Sequence, residues 1–254
     1  MYRLDVTTLA DRNGGDMSDT PRLKHKYGTI DRDYGVFLAT RPPEEDGPIY
    51  MVNLMKYHQI AQYTEDSGVE KAISGREADD RYNPSSILAK IGATIVFVGD
   101  VIKNRAGDED WDRIGIVRYA TRKSFIEMQT RRDFADKHVH KAAGMQRTII
   151  VCCRPQDVSL DARGRPKTDD QRHVLMVVRR TDDRPSSLTQ IPGAVNFVAE
   201  GTIIGDGRKW DTVQFLAADS DAALEALHTS VAGRIHGDAY VMSVRASMDS
   251  LTQG

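Results

Sequence analysis

Apolar positions along the chain fall into short alternating or continuous runs separated by polar turns, which predicts strands, with helical spacing in two longer stretches. IYMVNLMKY (49–57) reads as a buried strand. ATIVFVGDVI (93–102) and WDRIGIVRYA (111–120) face each other across the polar turn KNRAGDED as a hairpin, and TIIVCCR (148–154) closes this first set. SGREADDRYNPSSILAKIG (74–92) is a helix interrupted near Asn83-Pro84, where Asn83 caps a fresh turn that Pro84 begins. TRKSFIEMQTRRDFADKHVHKAAG (121–144) opens with a Thr cap and spaces Phe125, Met128, Phe134 and Val139 broadly as a helix does. The predicted order is βαββαβ.

A shorter version follows: HVLMVVRR (173–180), a helical piece around 186–191, a hairpin, a helix and the strand AYVMSVRAS (239–247). Gly92-Ala93 corresponds to Gly193-Ala194, and Trp111-Asp112 to Trp210-Asp211, each Trp-Asp preceding a strand and a capped helix (Thr121; Ser220 or Asp221). The expectation is an α+β chain of two tandem ferredoxin-like modules. Residues 1–30 form a flexible arm, 31–160 the first module, 161–172 (DARGRPKTDDQR) a linker and 173–254 the second module. Pairing two four-stranded sheets, each with helices on one face only, would bury the bare faces and enclose a space between them.

With 254 residues, 40% of them hydrophobic, the chain has the material for a real core. Its 35 basic and 37 acidic residues nearly cancel and form no basic stripe, which argues against nucleic acid as a partner. No run approaches the roughly 20 apolar residues of a membrane helix, and the first residues lack the apolar stretch of a signal peptide, so a cytoplasmic location is expected. Cys152 and Cys153 are adjacent, which suits neither an ordinary disulfide nor a zinc site. They read as a reduced pair on a strand, one side chain to each face.

Candidate chemistry gathers at the strand ends and on the second helix. On strand 49–57, Met51, Asn53 and Met55 share one face, whereas Lys56 lies on the other, near the end, as a solvated charge. An amide among apolar neighbours must find partners or face a cavity, since leaving it unpaired costs about 1–3 kcal/mol. His58 follows the strand; Tyr63 and Tyr82 offer phenolic donors. Arg118 and Tyr119 alternate, so only one points inward, and an inward Arg118 could hold a carboxylate or pair with one. His138 and His140 lie about 200° apart around a helix and cannot share a metal. Either could serve as a general base.

The stretches GPIYMVNLMKYHQIAQY (47–63), GREADDRY (75–82), GATIVFVGDV (92–101) and WDRIGIVRYATRKSFIEM (111–128) resemble the dimeric α/β-barrel superfamily, and within it proteins of domain of unknown function 1330. The resemblance covers about residues 35–154; the second half follows only in pattern, and its VLMVVRRTDD has no counterpart of Asn53-Leu54-Met55-Lys56. It implies a pseudo-dimer of the dimeric α/β-barrel type with a cavity between sheet and helices. Relatives include cofactor-free oxygenases, isomerases, lactone-processing enzymes, cyclases and haem proteins. The expected function is an enzyme without an organic cofactor, an isomerase, lyase or hydrolase, acting by acid/base chemistry on a partly apolar carbonyl, enol or phenol compound. Met51, Asn53, Tyr63, Tyr82 and Phe97, with Trp111 and Tyr119, would line the site; His58, His138 or His140 would move a proton, and Arg118 or Lys56 would stabilise an oxyanion. The alternatives are a cofactor-free monooxygenase and a non-catalytic ligand-binding or haem-binding barrel. A homodimer is the expected assembly.

Overall fold

Among the described residues the apolar runs become ten strands, six α-helices pack outside them, and the caps lie in the sequence at their ends. A computed structural model describes residues 23–69, 72–162, 167–180, 191–233, 235 and 238–252. β1 (Leu23–His25) and β2 (Gly28–Ile30) form a small hairpin before α1 (Arg32–Thr40). Then come β3 (Ile49–Tyr57), α2 (Gly75–Tyr82), α3 (Ser85–Lys90), β4 (Thr94–Ala106), β5 (Arg113–Tyr119), α4 (Arg122–Thr130), α5 (Arg132–Gly144) and β6 (Met145–Pro155). β7 (Lys167–Arg179), β8 (Val195–Gly205), β9 (Thr212–Ala218), α6 (Asp221–Ala232) and β10 (Ala239–Asp249) complete the order. Asp31, Ser74, Thr121 and Ser220 each accept a backbone N–H of the first turn they precede, and Thr121 and Ser124 make a reciprocal capping box. Asn83 ends α2 and accepts the Ser85 N–H at 3.3 Å, which opens α3.

Eight strands close on themselves in the order β3-β5-β4-β10-β7-β9-β8-β6, every pairing antiparallel. Eight strands leave an interior that side chains just fill. Tyr50, Val52 and Leu54 of β3 point into it with Phe97, Phe197, Phe215, Met176 and Met242, all buried. The aromatic rings meet at 5.2 Å (Tyr50–Phe197), 5.3 Å (Phe97–Phe215) and 6.0 Å (Phe197–Phe215). The odd face of β3, with Met51, Met55 and Tyr57, lies under the first five helices, and Leu175, Val177 and Val241 lie under α6. Cys152 joins the helix side and Cys153 the interior, and both are free thiols. Among the described residues no helix is long and apolar enough to cross a membrane.

This architecture corrects the expected α+β arrangement of tandem ferredoxin-like modules in a dimeric-α/β-barrel-type pseudo-dimer. There is one closed antiparallel β-barrel with helices applied to its outside. β4 pairs along β10 and β6 along β8, so the strands expected to border separate sheets hydrogen-bond across the two halves of the chain. The space expected between two sheet faces is occupied by packed side chains. The second half does not repeat the first: its described residues contain one helix, α6. Periodicity reports the two faces of each strand, but not which strand lies alongside, and closing the sheet satisfies backbone groups that open edges would leave exposed.

Residues 1–22 of the expected arm lie outside the described residues, as do 163–166 of the expected linker and 186–190 of the expected helical piece. Residues 23–30 form the β1–β2 hairpin, with Thr29 and Ile30 paired to Gly205 and Ile204 of β8. Residues 167–172 extend β7 along β10, from Lys167↔Asp249 to Arg172↔Ala246.

Candidate functional site

The sequence-predicted residues separate into three regions. Phe97 and Trp111 belong to the barrel interior: a register irregularity between Ile95 and Phe97 in β4 turns both Val96 and Phe97 inward, and the Trp111 indole meets the Tyr240 ring at 5.5 Å. Neither shares a layer with Asn53, which corrects the expectation that they line one site.

Arg118, on β5 opposite Tyr50, and Lys56, near the far end of β3, already hold carboxylates of this chain. Arg118 donates from Nε and Nη2 to Asp161, both at 2.5 Å, and the Tyr50 hydroxyl donates to Asp161 at 3.0 Å. The Arg118 guanidinium accordingly holds the Asp161 carboxyl below the usual carboxylate range. Lys56 bridges Asp110 (2.6 Å) and Asp112 (2.9 Å), and Asp112 also accepts the Tyr57 N–H at 2.8 Å. The lysine expected to be solvated is a half-buried tie across the β4–β5 turn. Neither cation is free to meet an oxyanion without abandoning its partner.

On the helix side the picture differs. Met51, Asn53, Tyr82 and Tyr119 lie in the layer between the outer face of β3 and β5 and the helices. Asn53 donates both Nδ2 protons to backbone carbonyls, Met51 at 3.0 Å and Gly115 at 3.3 Å, and so is left with its Oδ1 acceptor. Tyr119 packs edge-on against Phe125 at 5.3 Å.

Tyr82, at the end of α2, has a buried ring that meets Phe134 and His138 edge-on at 6.1 and 6.4 Å. His138 Nε2 and the Tyr27 hydroxyl are hydrogen-bonded at 2.9 Å. Lys141, one turn beyond His138 on α5, carries its Nζ over the Tyr82 ring, 5.4 Å from the centroid. Burial pushes the Tyr27 and Tyr82 hydroxyls well above the usual phenol range, so both stay protonated at neutral pH. Among the described residues the Tyr82 hydroxyl makes no hydrogen bond; the residue is buried overall, but its hydroxyl reaches the surface.

At the edge of this layer Tyr63 and His140 are joined at 2.7 Å between hydroxyl and Nδ1. Burial lowers the His140 pKa, and the charges of Arg81 and Lys137 lower it further. His58 acts through its backbone: its N–H donates to Gly144 (2.9 Å) and its carbonyl accepts from Gly75 (3.0 Å). A Cβ on Gly75 would stand 2.4 Å from the Gly144 carbonyl oxygen and 2.5 Å from that of His58, so only glycine permits this crossing of α2, α5 and the end of β3. Among the described residues the His58 ring hydrogen-bonds Gln62, at 3.3 Å.

An open cleft of about 410 Å³ lies elsewhere, between α6 and the start of β10, lined by Asp108, Arg208, His228 and Asp238 among others. Arg208 there is paired with Asp108 (3.1 Å) and Asp206 (2.5 Å) and stacked on Trp210 and Tyr240, so its charge is compensated. Two residues central to the helix-side cluster escaped the sequence reading. Tyr27 falls within the expected arm. Lys141 had one available signal, its place three residues after His138, which puts both on one face of α5.

Fold and site together define a closed antiparallel β-barrel with an apolar, tyrosine-containing layer between its outer face and its helices. No family model matches the chain, and no curated protein matches it. Similar solved structures include a methylated RPA0582 protein, 24% identical with a TM-score of 0.43 over 52% of this chain and 97% of that one. Another is the RPA0582 protein of unknown function from Rhodopseudomonas palustris, 22% identical with a TM-score of 0.42 over 50% of this chain and 95% of that one. Likeness at that level carries no functional inference.

Proposed function

We propose that the protein is a small-molecule enzyme that works by proton transfer on a partly apolar carbonyl, enol or phenol compound, bound on the helix side of β3. The observation that carries this reading is Tyr82: a tyrosine with a buried ring whose hydroxyl, without a partner among the described residues, reaches the surface beside the His138–Tyr27 hydrogen bond. A hydroxyl at the edge of a buried layer that makes no bond within the protein is open to a molecule bound from outside. An oxygen of a bound molecule would give it a partner. In this arrangement Tyr82 donates to the substrate oxygen, the His138–Tyr27 pair takes up or returns a proton, and Asn53 supplies an acceptor for a hydroxyl. Met51 and Phe134 provide the apolar walls.

The test is a tyrosine-ring NMR titration with benzaldehyde, acetylacetone and catechol. The reading expects saturable shifts of the Tyr82 and Tyr27 resonances with at least one compound, lost in Tyr82→Phe. Shifts confined to Tyr240 beside the α6 cleft, or none with any of the three, would overturn it.

A further inference from the structure

The geometry points to Lys141 as the nucleophile of an imine-forming site on the face of Tyr82, whose substrates are aldehydes or ketones. This deepens the reading above and rests on it. Among the described residues the Lys141 Nζ makes no ion pair with a carboxylate and donates no hydrogen bond; its contact is the π-face of Tyr82 at 5.4 Å. Structural lysines in this chain are tied differently: Lys56 to two aspartates, Lys90 to Asp133 at 3.0 Å, Lys137 to the Asn83 carbonyl at 2.9 Å. An ammonium over an aromatic ring gains less from it than a half-buried cation usually needs to offset its lost hydration. Burial lowers the Lys141 pKa against the opposing charge of Asp79, which raises the fraction of free amine. Lysines desolvated in this way are the ones that attack carbonyl carbons.

The chemistry would draw on Tyr82, whose ring lies under the amine, and on His138, one turn earlier on α5 and edge-on to the same ring. The Nζ lone pair adds to the carbonyl carbon as the C=O π pair moves to oxygen, which takes the Tyr82 hydroxyl proton and gives a carbinolamine. A nitrogen proton passes to His138, whose bond to Tyr27 positions the ring to receive it. The carbinolamine oxygen takes the proton held by His138 and leaves as water while the nitrogen lone pair forms C=N, and the remaining nitrogen proton returns to the Tyr82 phenolate. Atoms balance with loss of one water, and neither oxidant nor reductant takes part.

Benzaldehyde with sodium cyanoborohydride reduces any imine to a stable benzylamine that peptide mapping locates. The expected result is a benzyl group on Lys141 of the folded wild-type protein, lost in Lys141→Arg and diminished in Tyr82→Phe. Mapping the wild-type chain decides the question even if a variant fails to fold. Label on the exposed Lys90 and Lys103 with Lys141 unmodified, while benzaldehyde still shifts the Tyr82 resonance, would overturn the imine and leave the proton-transfer reading standing. Absence of label, with no Tyr82 shift from benzaldehyde, acetylacetone or catechol, would overturn the two together.

Discussion

Replacing Glu200 with Gln tests whether the two halves of the chain are bolted together by a buried ion pair. Glu200, on β8, accepts from Arg122 Nε at 2.8 Å, from Arg122 Nη2, and from the Tyr34 hydroxyl at 2.9 Å. Arg122 opens α4 and its side chain is 3% exposed; Asp46, its second partner at 3.3 Å, is 5% exposed and Glu200 16%. Tyr34 of α1 reaches this cluster across Gly201, where a Cβ would stand 2.5 Å from the ring.

The substitution keeps the volume and removes one negative charge beside a dry guanidinium. Removing one partner of a buried pair costs about 3–5 kcal/mol, and the remaining Asp46 places the expectation at the lower edge, about 3 kcal/mol. At roughly 2–4 °C per kcal/mol for a chain of this size, Tm falls by about 6–12 °C. Guanidinium unfolding followed by circular dichroism measures the difference. Glu77→Gln is the control, because it breaks only the exposed helical pair with Arg81 and should cost no more than about 0.5 kcal/mol.

The effect also carries a pH signature. Burial alone would raise the Glu200 pKa, but the hydrogen bonds from Arg122 and Tyr34 outweigh it and the net shift is downward. A carboxylate whose folded pKa is depressed contributes fully above its unfolded value, about 4.3 for glutamate, and loses the contribution as pH falls through the folded pKa. The gap between wild type and Glu200→Gln should therefore narrow on acidification through that range. A gap below about 1 kcal/mol at neutral pH, well under the cost of breaking a buried pair, or one that persists unchanged in acid, would refute the reasoning.

Gly75→Ala should destabilise the fold by about 1–3 kcal/mol or more, since the added carbon meets the backbone of Gly144 and His58 and no flexible side chain can yield; unchanged stability in denaturant unfolding would show that α2 and α5 are less tightly apposed. Both cysteines are buried, and burial pushes the Cys152 thiol up to about 12, so iodoacetamide at mildly alkaline pH should leave both unmodified in the folded protein and alkylate both in guanidinium. Rapid alkylation of either thiol in the native state, read by intact mass, would contradict the barrel packing. The tyrosine titration and the imine trapping described above test the helix-side site itself.

Local stereochemistry accounts for what was legible in the chain. Alternation along 49–57 separates Met51, Asn53 and Met55 from Tyr50, Val52 and Leu54, and the barrel keeps that division, one set toward the helices and the other inside. The same rule divides Cys152 from Cys153, and the Thr121 and Ser220 caps begin α4 and α6 because each hydroxyl lies within reach of its own first turn. These features depend on residues a few positions apart, so the sequence by itself determines them. Strand partnership does not: β4 with β10 and β6 with β8 unite distant segments, and their hydrogen bonds form only once the whole sheet closes. Tertiary structure alone decided that Lys56 and Arg118 are neutralised by Asp112 and Asp161, and that Tyr27 meets His138 across 111 residues. Only that closure set Lys141 over Tyr82, because a side chain's partner is chosen by packing of elements whose order in space no local period encodes.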